Sequence, residues 1–289
     1  MAEASPGGRL VAIDDTRLFV EARGRDRADP VIVLHGGPGM DHHECGDYLD
    51  PLGADHRLLL VDQRAQGRSD PAPAHTWTLE RMAQDVIMLA RALDLDRYSV
   101  LGHSFGAFVA LQNAVDFPGM ASRTIVSSGV PSMRFVQETV ERELASFTPA
   151  ELRAQVVDSW GREADARTSE DVASILADQW PFQFADPCDP RIAEYVARSA
   201  GGRYDADVLR HFASSGYGGI EVEDRLHEVA SPVLVLAGRH DRTCPVAAAE
   251  AIAAGVPQGL LAIFERSAHM AFVEEPDAWL EAVGSFLAG

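Results

Sequence analysis

Gly102-His103-Ser104-Phe105-Gly106 is the stretch on which the reading of this chain turns. Before it, Tyr98-Ser99-Val100-Leu101 is short and apolar, as a buried parallel strand is; after it, Ala107 to Val115 carries apolar groups at helical spacing. A Gly-x-Ser-x-Gly run at such a junction predicts a strand-to-helix turn so tight that its serine takes strained dihedrals. Glycine is needed at 102 and 106, where any Cβ would meet the neighbouring strand and helix. The turn exposes the Ser104 hydroxyl and aims a helix N-terminus at whatever binds beside it.

Outward from this turn the pattern is regular. Arg9 to Ile13 and Arg17 to Glu21 alternate around Asp14-Asp15, as a hairpin does. Val31 to Leu34 and Arg57 to Val61 read as buried strands. Leu79 to Leu93 reads as an amphipathic helix, with Met82, Val86, Leu89 and Leu93 on one face. Thr124 to Val126 reads as another buried strand, the alternation returns at Val233 to Ala237 and Leu260 to Phe264, and a helix from about Asp277 to Leu287 closes the chain. This alternation predicts an α/β fold, a mostly parallel sheet flanked by helices. Between Pro131 and Ser215 the strands stop; the segment is acidic and helix-favouring, with Trp160, Trp180, Phe182 and Phe184 interspersed. The expected organisation is a core of residues 1–130 and 216–289 interrupted by a helical cap of 131–215.

Composition narrows the chemistry. A formal net charge of −19 argues against nucleic acid or an anionic membrane as partner, since both need clustered positive charge. No apolar run is long enough to span a bilayer, and the N-terminus lacks a basic-then-apolar signal pattern, so the expected location is the cytoplasm. Lysine is absent, which removes Schiff-base chemistry and a Walker-type phosphate loop. Cys45, Cys188 and Cys244 are odd in number and widely spaced, which suggests reduced thiols rather than a disulfide framework or a zinc site. Asp41, His42, His43 and Cys45 contain ligand chemistry, but adjacent residues seldom converge on one ion. No metal or cofactor is expected.

A serine nucleophile needs a base and a group to orient that base. Asp241, in the loop after Val233–Ala237, and His269, in the loop after Leu260–Phe264, lie at C-terminal strand ends, where open α/β sheets place ligands. Their chain order, serine, acid, histidine, fits such a fold. Asp241 is preferred to Asp224 as the acid. His269 is preferred to His240, which adjoins the acid and cannot comfortably bridge it to Ser104. Asp62 is expected to brace loops. The oxyanion donors should be the N–H groups of Phe105, at the start of the helix, and of Gly37, in the loop His35-Gly36-Gly37-Pro38-Gly39.

These motifs, with Asp62-Gln63-Arg64-Ala65-Gln66-Gly67-Arg68-Ser69, resemble α/β-hydrolases of the proline iminopeptidase branch, over about 31–128 and again from about 229 to the C-terminus. The resemblance implies a cofactor-independent serine hydrolase with Ser104, His269 and Asp241 as triad and Gly37 and Phe105 as oxyanion hole. It implies small-molecule or short-peptide substrates, with release of N-terminal residues. Two positions depart from the branch: His103 stands where iminopeptidases commonly have glycine, and Ala65 follows Arg64 where glycine is usual. His103 points instead to esterases and lactonases acting on small esters or lactones. Iminopeptidases hold the substrate amine with acidic residues of the cap; Glu138, Glu141 and Glu143 are candidates for that role, or form a solvated helix face. A hydrolase-fold ligand receptor is a further alternative. A haloalkane- or epoxide-type hydrolase needs an aspartate at position 104 and is excluded.

Overall fold

Runs of four and five apolar residues become the interior strands of the sheet because they meet apolar groups on both faces. The computed structural model describes residues 8–26 and 28–289, which form one eight-stranded sheet. In chain order the strands are β1 (Arg9–Ile13), β2 (Thr16–Gly24), β3 (Pro30–Leu34), β4 (Arg57–Val61), β5 (Ser99–His103), β6 (Arg123–Ser127), β7 (Val233–Gly238) and β8 (Gly259–Phe264). Their spatial order is β1-β2-β4-β3-β5-β6-β7-β8. The β1–β2 hairpin and the β2–β4 pair are antiparallel; every other pairing is parallel.

Period-two alternation divides the core. Ile32, Leu34, Leu59, Val61, Val100 and Val126 face α1 (Leu79–Ala92), α2 (Phe105–Asp116) and α8 (Val246–Gly255). Their neighbours Val31, Val33, Leu58, Leu60, Leu101 and Ile125 go to the other face, against Trp279, Val283 and Leu287 of α10 (Pro276–Ala288). The amphipathic reading of α1 holds: Met82, Val86 and Leu89 are buried, and Thr78 caps its N-terminus by accepting from the Arg81 N–H.

Between β6 and β7 the chain runs through five helices: α3 (Met133–Ser146), α4 (Ala150–Arg162), α5 (Ser169–Gln183), α6 (Arg191–Arg198) and α7 (Ala206–Ser214). No described helix is long and apolar enough to cross a membrane. The helical segment is tied to the sheet's carboxyl edge. Arg242, after β7, donates to the carbonyls of Phe182, Phe184 and Ala185. Glu274, in the short α9 (Ala271–Glu274), accepts from the N–H groups of Ala185 at 2.9 Å and Ala268 at 2.7 Å.

Two loops at that edge interlock. The Gln63 side chain donates to the His35 carbonyl at 2.8 Å, and Gln66 accepts from the Gly39 N–H at 2.7 Å. Asp62 accepts from the N–H groups of His42 at 3.0 Å and Arg68 at 2.7 Å, so it braces loops as expected. Ala65 sits at φ 60°, a left-handed conformation that explains why glycine is usual there. Arg64 is fully buried and anchors the loop to α1 through two bonds to Asp85, both 2.7 Å, and to Asp15 at 2.8 Å. Without Asp85 the buried guanidinium keeps only Asp15, whose side chain is 42% exposed, as counter-charge. Asp85→Ala should therefore lower the unfolding free energy by about 3–5 kcal/mol, read as a reduced urea midpoint.

Candidate active site

The turn after β5 is built as the sequence requires. Ser104 has φ 53° and ψ −119°. Its N–H donates to the Ser127 carbonyl at 2.9 Å, and its carbonyl accepts from Ala107 at 2.9 Å and Phe108 at 3.2 Å. A Cβ on Gly102 would run into the Gly106 backbone, and one on Gly106 into the carbonyls of Leu34 and His35. The serine is thus held where α2 begins, and the Phe105 N–H is among the first-turn donors that a helix leaves unbonded.

Parallel register brings the other groups to the same edge. Leu34 pairs with Gly102, His103 with Ser127, and Gly238 with Phe264. The loops that follow carry Gly37, Asp241 and His269. Ser104, Phe105, Gly37 and His269 line one cavity of about 100 Å³. Gly37 adopts φ 113°, which its lack of a side chain permits.

Asp241 is buried and every part of its carboxylate is engaged. Oδ1 accepts from the Thr243 N–H and hydroxyl, both at 2.8 Å, and from the Cys244 N–H at 2.9 Å. Oδ2 lies 2.9 Å from His269 Nδ1. Nδ1, facing a carboxylate, carries the proton and donates it, which leaves Nε2 as the lone-pair nitrogen. Burial works against the Asp241 charge, but the facing imidazole and the three donors outweigh it and hold the carboxyl below its ordinary value. Burial likewise works against a charged His269, and the Asp241 carboxylate outweighs it, so the imidazole is held above its ordinary value. The backbone of His269 is pinned as well: its N–H donates to the Gln183 carbonyl at 3.0 Å, and its carbonyl accepts from Ser128 Oγ at 2.9 Å. Asp224 and His240 line no part of this cavity.

Two carboxyl groups in the wall were not anticipated from sequence. Glu163, just after α4, is buried; its Oε1 accepts from Gln179 Nε2 at 2.6 Å and its Oε2 from the Tyr217 hydroxyl. Burial raises its pKa despite those donors. Glu44, in a 3-10 turn after the glycine loop, is buried beside His103. Glu138, Glu141 and Glu143 do not fill the expected place. The first two are exposed, Glu143 pairs with Arg142 at a separate surface cleft, and none lines the cavity. α3 turns its Phe135 and Thr139 face inward, and those glutamates lie on its other sides. Glu163 stands in a segment rich in acids, and only tertiary burial separates it from them.

The rest of the cavity is largely apolar, with Phe108, Met133, Trp160, Trp180 and Leu209. Asp41, His42 and His43 bring ligand atoms within 4.8 Å of one another, yet these atoms are engaged elsewhere. Asp41 accepts from His43 and the Arg203 N–H, and His42 Nδ1 lies 2.5 Å from Asp62.

Comparison with known proteins agrees with the fold and the motifs. Residues 29–276 match the family model for the alpha/beta hydrolase fold. A proline iminopeptidase of Xanthomonas citri is 31% identical over 96% of each chain, and one of Heyndrickxia coagulans is 29% identical over 89% of this chain and 90% of its own. The crystal structure of a proline iminopeptidase from Mycobacterium smegmatis superposes with a TM-score of 0.74, at 26% identity and 98% coverage of both chains. The chain belongs to the α/β-hydrolase family, as a hydrolase of its proline iminopeptidase-like branch.

Proposed function

We propose that the protein is a serine aminopeptidase that releases N-terminal residues, proline among them, from small peptides through an acyl-enzyme. The observation that carries this reading is the buried Glu163 carboxyl, which faces the same cavity as Ser104 and His269. A free α-amine is a cation, and an oriented, buried carboxylate with no cationic partner among the described residues is the group that would hold it. Gln179 and Tyr217 fix the position of that carboxylate. Residues 131–215 then act as a cap over a core of 1–130 and 216–289, and the cap supplies the amine anchor. Cys45, Cys188 and Cys244 are free thiols, in keeping with the cytoplasm as the place of action.

In this mechanism His269 Nε2 takes the proton of Ser104 as its oxygen attacks the carbonyl, and later gives it to the leaving amine. Asp241 holds the imidazole in the required tautomer and stabilises its cationic form. The N–H groups of Gly37 and Phe105 stabilise the tetrahedral oxyanion; one such donor typically contributes about 3 kcal/mol. Water, activated by His269, releases the acid. The apolar walls, with Trp160 and Trp180, suit a small apolar acyl side chain such as the proline ring.

His103 and these apolar walls favour a second reading, an esterase or lactonase acting on small neutral substrates. Proline p-nitroanilide and p-nitrophenyl butyrate, offered side by side, separate the two. Anilide cleavage is the expected result, and rapid ester cleavage without it would end the peptidase reading. Ser104→Ala should reduce turnover of either substrate by on the order of 10⁶-fold.

Glu163→Gln keeps the shape of the anchor and removes its charge. It should lower kcat/KM for proline p-nitroanilide by about a hundredfold, mostly through KM, and leave p-nitrophenyl butyrate nearly untouched. The pH dependence follows from the base. His269 must be neutral to act, and its pKa is held above the ordinary 6.5, so kcat/KM should be lost as pH falls through that raised value. Asp241→Asn removes the anion that raises it; the inflection in the pH profile should move to lower pH, with kcat reduced by about 10⁴-fold.

A further inference from the structure

Glu44 is a buried carboxyl in the cavity wall to which the triad and the oxyanion hole give no task. Its Oε2 accepts the Gly36 N–H at 3.2 Å, with the Cys45 thiol at 3.6 Å. Its Oε1 lies 3.4 Å from His103 Nε2. The point where a Cβ on Gly36 would stand is 3.2 Å from both Glu44 Oε1 and the Ser104 Cβ, so the carboxyl adjoins the nucleophile across that glycine. Gly36, whose N–H it accepts, is the residue next to Gly37, the proposed oxyanion donor. We propose that Glu44 is the specificity-determining residue of this cavity: its carboxylate favours acyl groups that carry a cationic nitrogen beside the scissile carbonyl over neutral acyl groups of the same shape. The inference rests on Ser104, His269 and Gly37 having the roles given above.

The argument is electrostatic. Attack on a neutral acyl group builds an oxyanion near a buried negative charge, and the two repel in a medium where charges are poorly screened. An acyl group with an ammonium on the α-carbon brings a positive charge between them and removes the penalty. No group packed against Glu44 does so in its place. Burial, reinforced by the charge on His269, holds His103 neutral, and its Nε2 has no hydrogen-bond partner. His269 does interact with the Glu44 charge, but its imidazolium is bound to Asp241 and forms equally for both kinds of acyl group, so it does not distinguish them. The Cys45 thiol and the Tyr195 phenol, both buried near Glu44, stay protonated because burial pushes their pKa values up. Burial pushes Glu44 itself up to about 7, so the charge is only partly present at neutrality, and a bound cation draws it further into the ionised form. Glu163 and Glu44 thus divide the work: the former binds the amine, and the latter penalises its absence.

The p-nitrophenyl esters of alanine and of propanoic acid test this, because they differ only in the α-ammonium group. Both are activated esters, so their ratio is measurable whether or not the protein cleaves peptides. At pH 7.5 the unmodified protein should prefer the alanine ester. Glu44→Gln retains an acceptor for the Gly36 N–H; it should cut that preference by about tenfold, with kcat rising for the propanoate ester and falling for the alanine ester. Glu44→Asp keeps the charge and should keep the preference. Equal changes on both esters in Glu44→Gln would reduce Glu44 to a support for the glycine loop and overturn the proposal, as would loss of the preference in Glu44→Asp. Failure to cleave proline p-nitroanilide would instead overturn the peptidase reading, while the ester ratio still decides the role of Glu44.

Discussion

Ser104 is held at φ 53° and ψ −119°, a conformation that costs energy for any residue with a Cβ, and the surrounding fold supplies the contacts that keep it there. Its N–H is fixed to β6 through Ser127, and its carbonyl is tied to the first turn of α2. The glycines on either side let β3, β5 and α2 approach more closely than any side chain would allow. Once this turn is set, the remaining geometry follows from parallel register. The carboxyl ends of β3, β5, β6 and β7 are level, and residues after each of them line the same cavity.

The site that results contrasts satisfied and unsatisfied charge. Asp241 has four contacts, one of them to His269 Nδ1. Asp62, equally buried, is consumed in bracing the loop that supports the glycine-rich segment. Glu163 and Glu44 are different. Each is buried against the cavity with hydrogen-bond donors but no cation, and each has its pKa raised by burial. Buried carboxyl groups without a cationic partner are costly to maintain, and in a largely apolar wall they are what the proposed recognition of a substrate cation rests on.

Local pattern predicted most of the core. The apolar runs appear as β3 to β8, buried in β3 to β7 but not in β8, an edge strand that leaves Leu260 and Leu261 exposed. The periodicity of Met82, Val86 and Leu89 marks the inner face of α1. The elbow glycines, Asp241 and His269 were legible because each follows a strand whose end could be located by its apolar run. The segment between β6 and β7 was legible only as a helical region. Glu138, Glu141 and Glu143 stood out there as candidates, but α3 directs Phe135 and Thr139 inward and leaves those glutamates outside the cavity. Glu163 carried no signal, since one acid among many at a helix end reads as solvated. Glu44 was hidden beside the more conspicuous His42, His43 and Cys45.

By itself, then, the sequence determined the sheet, the elbow and the order of serine, acid and histidine. All three depend on interactions within a strand and its adjoining loop, which periodicity and glycine placement record directly. Only the tertiary structure decided which carboxyl groups line the cavity that holds Ser104 and how each is partnered. The sign and size of their effect depend on burial and on distances between segments more than a hundred residues apart, such as Glu44 and Glu163. That information exists only once the helices between β6 and β7 have folded over the carboxyl edge of the sheet.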